Sequence, residues 1–81
     1  MRQLILAGSF LVAFATTAFA GEYDNLCAMS LALGQKYPTD CSINETIDGK
    51  TYCFGHEKTK AMFMKDPKKY IPRADSAYAG K

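Results

Sequence analysis

Apolar residues fall along this chain in blocks of different period. From Leu4 to Phe14 they form an unbroken run apart from Gly8 and Ser9. Between Glu22 and Gln35, Leu26, Met29 and Leu33 recur at helical spacing and Gly34 supplies a stop, which predicts a short helix, with a loop as the alternative. Lys36 to Asp40 holds Pro38 and reads as extended or turning. Two β-favourable runs, Cys41 to Ile47 and Lys50 to Phe54, then flank Asp48-Gly49. Asp-Gly between such runs predicts a hairpin, because a type I′ turn needs positive φ at both central residues. Glu57 to Lys65 returns to helix formers with an acid in the first turn; Thr59, Met62, Phe63 and Asp66 mark one side, and Phe63 is the expected anchor onto the hairpin. Met62 and Met64 read as flexible core filling. Asp66-Pro67 should cap and start a second short turn over Lys68 to Ile71, with Pro72 interrupting it and residues 72–81 fraying. The expected fold class is α+β: one small domain, a β-hairpin packed against short helices.

A two-residue turn fixes the hairpin register. Ile47 should face Lys50, Glu45 face Tyr52, Asn44 face Cys53, Ile43 face Phe54, and Cys41 face His56. Side chains alternate along a strand, so Cys41, Ile43, Ile47, Tyr52 and Phe54 share one face with His56 at its end. Cys53 points the other way, beside Ser42 and Asn44. In this register a Cys41–Cys53 disulfide is awkward, and a one-residue bulge would reverse that. Tyr52, Phe54 and Tyr70 should be core residues with hydroxyls reaching the surface.

The first block has the form of an export leader. Arg2 precedes the apolar run, and Ala18-Phe19-Ala20 gives the small-x-small pattern that places a cut before Gly21. A spanning helix needs about 20 apolar residues, and this run is shorter. The expected product is a periplasmic or otherwise secreted domain, residues 21–81, that does not insert in a membrane. Taking 1–20 from the 81 residues leaves 61, close to the size at which a core alone is barely sufficient. Without Arg2, the ten basic residues become nine against eight acidic ones. No basic face or aromatic-basic interleaving is present to favour nucleic acid. Lys58, Lys60, Lys65, Lys68 and Lys69 read as a solvated helix surface.

All three cysteines, Cys27, Cys41 and Cys53, follow the leader, and an odd number in an exported domain leaves at least one thiol free, metal-bound or shared. Together with Met29 and His56 they make a soft-donor set that favours copper(I) first and zinc second over harder cations. A structural zinc site wants four Cys/His ligands, whereas copper(I) can manage with two or three. The competing reading is a disulfide brace with no metal, with Met29 packed in the core, one Cys buried, and His56 bonded to backbone or water at a helix start. The two can coexist, one disulfide leaving a Cys, Met29 and His56. An enzymatic role is not expected: a Cys41/His56 pair lacks an orienting acid, and neither Cys-x-x-Cys nor Cys-x-x-Cys-His occurs.

Laid out in order, Cys27-Ala28-Met29, Gly49-Lys50-Thr51-Tyr52-x-Phe54, Glu57, Lys60, Phe63 and Asp66-Pro67-x-Lys69-Tyr70 resemble the YHS domain family over most of the chain after the leader. The resemblance implies a small α+β fold, a hairpin against helices, of the kind associated with heavy-metal trafficking, resistance and sensing. It also implies a periplasmic or membrane metal-transport protein as a partner. Metal-binding relatives often carry cysteines at the positions of Gly55 and Thr59, so a complete family-type zinc site is not carried over. Cys27 and Met29 match the family's Cys-x-Met start. Cys53 stands where the family often has His, and His56 where Ser is common. Cys41 lies outside the aligned motifs.

Overall fold

The computed structural model describes residues 21–80; the export leader expected at 1–20 lies outside them. The domain is α+β, a two-stranded antiparallel hairpin with three helices. A single 3-10 turn, Glu22–Asn25, leads into α1 (Ala28–Ala32); β1 (Ile43–Ile47) and β2 (Lys50–Phe54) follow, then α2 (Glu57–Lys65) and α3 (Pro67–Ala79). Among the described residues no helix is long and apolar enough to cross a membrane.

The hairpin forms as its turn chemistry dictates. Asp48 and Gly49 both take positive φ, 51° and 80°, and the register is the one a two-residue turn imposes: Ile43 with Phe54, Asn44 with Cys53, Glu45 with Tyr52, Thr46 with Thr51, Ile47 with Lys50. Tyr52 and Phe54 then project from one face onto Phe63 of α2, with ring centroids 5.7 and 5.2 Å from it. Phe63 is fully buried. The chain before α1 completes the sheet region: Leu26 pairs with Pro38 and Cys27 pairs, in parallel, with Cys53.

The short helix expected before Gly34 forms, while the expectations around it and beyond Pro72 need correction. The N-terminal helix is confined to Ala28–Ala32. Ahead of it Tyr23, Asp24 and Asn25 all lie in the left-handed region (φ 60°, 54°, 66°). In consequence Leu31, not Leu33, fills the core, and Leu33 is exposed. Left-handed backbone costs roughly 1–2 kcal/mol per non-glycine residue, and here tertiary bonds offset it. Tyr23 Oη donates to Asp75 Oδ1 at 2.6 Å, Tyr78 Oη donates to Asp24 Oδ2, and Thr39 donates to the Asn25 carbonyl from both its N–H (3.2 Å) and its hydroxyl (2.6 Å).

At the other end Pro72 does not stop the helix. α3 runs through it to Ala79, so residues 73–80 are structured rather than frayed. A proline inside a helix deletes one hydrogen bond and crowds the carbonyl four residues back. What repays this is the packing beyond it, where Ala74 is fully buried and Ala77 and Tyr78 lie against the core. The ring of Tyr23 sits between Tyr52 and Tyr78, centroids 5.9 and 5.5 Å away. Local propensity would end the helix, and the core extends it. Met62 and Met64, read as core filling, are exposed; α2 buries Phe63 alone.

Candidate functional site

The soft-donor residues gather around the end of β2, but the strand divides them between its two faces. On the face away from the helices, Cys41 and Cys53 form a disulfide with Cα atoms 4.7 Å apart. Strand alternation alone made this bond awkward, and the backbone at Cys41 resolves the difficulty. β1 begins only at Ile43, and Cys41 has φ of 62°. The alternation therefore does not reach it, and its side chain is re-aimed toward Cys53. That kink is held by neighbours: the Cys41 N–H donates to Thr39 Oγ1 (3.1 Å) and the Asn44 amide donates to the Cys41 carbonyl (2.8 Å). The expected facing of Cys41 and His56 is not formed, because β2 ends at Phe54.

On the helix face lies Cys27, free and fully buried. Its N–H donates to the Tyr37 carbonyl at 2.8 Å, while its thiol reaches Thr59 Oγ1 at 3.8 Å. Burial pushes the thiol up. Hydrogen bonds with the Ser30 hydroxyl and N–H, the Gly55 N–H and the Thr59 hydroxyl favour the thiolate and outweigh it, leaving the group below its ordinary value. Thr59 itself is fixed at the start of α2, accepting from the His56 N–H (3.3 Å) and donating to the His56 carbonyl (2.8 Å).

His56 and Met29 lie in different surroundings. His56 is exposed, with its Nε2 3.5 Å from Tyr37 Oη and its ring 5.8 Å from the Tyr37 ring. Met29 is packed in the hydrophobic core. Tyr37, which the sequence did not single out, covers the space above Gly55: a Cβ on Gly55 would overlap Cε2 of its ring and lie 2.8 Å from Cδ2. The proline-containing stretch that positions Tyr37 carried no signal for this.

The five residues read as candidate metal ligands, Cys27, Met29, Cys41, Cys53 and His56, thus do not fit a single ion in the oxidised fold. Two are consumed in the disulfide, Cys27 and Met29 are buried in the hydrophobic core, and His56 is at the surface. Among the described residues no cluster of three or more His, Cys, Asp or Glu side chains is placed to hold a metal. A lone buried thiol on one face of β2 and a disulfide on the other are what the arrangement offers chemically. No protein-family model, characterised protein or solved structure matches the chain.

Proposed function

We propose that this chain is an exported, non-catalytic, disulfide-braced interaction module of YHS-like form. The observation that carries the reading is the division of the sulfurs: Cys41 and Cys53 are bonded to each other, and Cys27 is turned to the other face of β2. A 60-residue core is small, and the brace ties the strand that the helices pack on to the loop that precedes the hairpin.

The YHS-like form is supported by one convergence. Cys27 meets the Gly55 N–H and the Thr59 hydroxyl, the two positions where the resemblance would put further cysteines. At the first of them the Tyr37 ring stands where a side chain would go. At the second a hydroxyl replaces the thiol. The Gly55 N–H and the Thr59 hydroxyl thus stand beside the Cys27 thiol where the resemblance would put further ligands. This convergence also favours a second reading, soft-metal handling with copper first and zinc second. Cys27 would be the one ligand from this chain, and a periplasmic or membrane metal-transport protein would supply the rest.

Intact mass with and without reductant, followed by alkylation of the unfolded chain, tests the brace. The brace predicts a mass two hydrogens below the fully reduced chain and one alkylated thiol before reduction. Three alkylated thiols in the protein as isolated would sink it. An anaerobic copper(I) titration tests the second reading: Cys27→Ser should bind copper(I) more weakly than wild type, and equal binding by the two would sink it.

A further inference from the structure

The residue that seals the disulfide is the first one after the expected leader. Gly21 has an ordinary extended backbone (φ −88°, ψ 169°), so its identity is not a matter of conformation. It is a matter of space. A Cβ at this position would overlap Cys53 Sγ and lie 3.0 Å from both Cys41 Sγ and Asn25 Oδ1. The backbone of Gly21 is laid directly on the bridge, and its nitrogen donates to Asn25 Oδ1 at 2.6 Å. Asn25 Oδ1 is also 3.5 Å from Cys53 Sγ, so one side-chain amide holds Gly21 down and closes over the sulfur. Cys41 and Cys53 are accordingly almost wholly buried, at 2% and 0% exposure.

Small residues before the cut define a leader-peptidase site, which leaves the identity of residue 21 open. The fold does not leave it open. Asn25 is also, after glycine, among the residue types that tolerate the left-handed backbone it occupies, so turn and clamp are served by the same side chain.

We propose that the Ala20–Gly21 bond is the processing site and that Gly21, with its freed α-amino group on Asn25 Oδ1, is the plug that shields the Cys41–Cys53 disulfide from attacking thiols. This rests on the export reading above. Cleavage turns the Gly21 nitrogen from an amide into an ammonium, which makes its bond to Asn25 charge-assisted and stronger. Thiol–disulfide exchange requires a thiolate to reach a sulfur, so its rate follows access. A plug that costs the chain one glycine and one asparagine would keep the brace closed in a compartment where thiol exchange is active.

The test uses the full-length chain, leader included, produced in a bacterial host with an oxidising periplasm and purified from it. Intact mass of the product should correspond to a chain beginning at Gly21, and a product beginning at any other residue overturns the processing assignment. Reduction by dithiothreitol is then followed for wild type, Gly21→Ala and Asn25→Gly. Glycine at 25 keeps the left-handed turn while removing the clamp. Gly21→Ala should be reduced about tenfold faster, and Asn25→Gly also faster, since access to the sulfur is what changes. Circular dichroism of each oxidised variant shows that it is folded. Equal rates for the folded variants and wild type overturn the plug. A chain that is neither cut nor exported sinks the export reading, and the rate comparison still decides the plug on that chain.

Discussion

Removing the Cys41–Cys53 bridge should cost this domain most of its stability. The perturbation is the double substitution Cys41→Ala with Cys53→Ala, alanine being chosen so that no unbonded hydroxyl is left in the buried site. The bridged residues are 12 apart in sequence, and closing a loop of that length in the unfolded chain is worth about 3 kcal/mol. Domains of this size have roughly 3–5 kcal/mol in total from their cores. For a chain of 60–100 residues each kcal/mol corresponds to roughly 4–8 °C, so the midpoint should fall by about 12–24 °C. The loss should be concentrated where the bridge acts. It joins β2, which the core packs on, to the kink at Cys41 that leads into β1. The assay is thermal unfolding by far-ultraviolet circular dichroism, with wild type in the presence of reductant as a second arm. The reduced wild type should behave like the double variant. A double-alanine variant melting within about 5 °C of wild type would refute the reasoning, since it would leave less than about 1 kcal/mol for the brace.

Further outcomes follow from the same packing. Phe63→Ala removes the one buried side chain of α2, in contact with Tyr52, Phe54 and Tyr70. A large-to-small change of this kind costs about 3–5 kcal/mol, so the variant should lack a cooperative thermal transition. Pro72→Ala restores the helical bond to the Lys68 carbonyl within a continuous α3 and should raise stability by about 2 kcal/mol, read as a higher midpoint; an unchanged or lower midpoint would count against a helix running through residue 72. Tyr23 is raised above the ordinary phenol value by burial and by its bond to Asp75, Tyr52 by burial and Tyr78 by its bond to Asp24. Neutral phenols are thus favoured in the folded state. Stability from them is fully present below the unfolded value near 10 and is lost as pH rises through the higher folded values. Tyrosinate absorbance should accordingly lag in the folded protein and appear together with alkaline unfolding; three phenols titrating normally in a folded protein would refute this.

The local chemistry of the middle of the chain was legible from residues alone. Asp48-Gly49 determines the turn, the turn determines the register, and the register puts Tyr52 and Phe54 on one face for Phe63 to meet. These are short-range facts, set by the φ angles of two residues and by a period of two. A part in metal handling stays a proposal for the copper(I) titration.

The tertiary structure decided what happens where local rules conflict with packing. Pro72 and three successive left-handed residues are each unfavourable alone, and they persist together because the Tyr23–Asp75 and Tyr78–Asp24 bonds tie the 3-10 turn to α3. The sulfur partners were likewise undecidable from spacing. One positive φ at Cys41, held by Thr39 and Asn44, turns a side chain by enough to make a disulfide that strand alternation would forbid. Alternation fixes which way a residue points only inside the strand, and Cys41 lies just outside it.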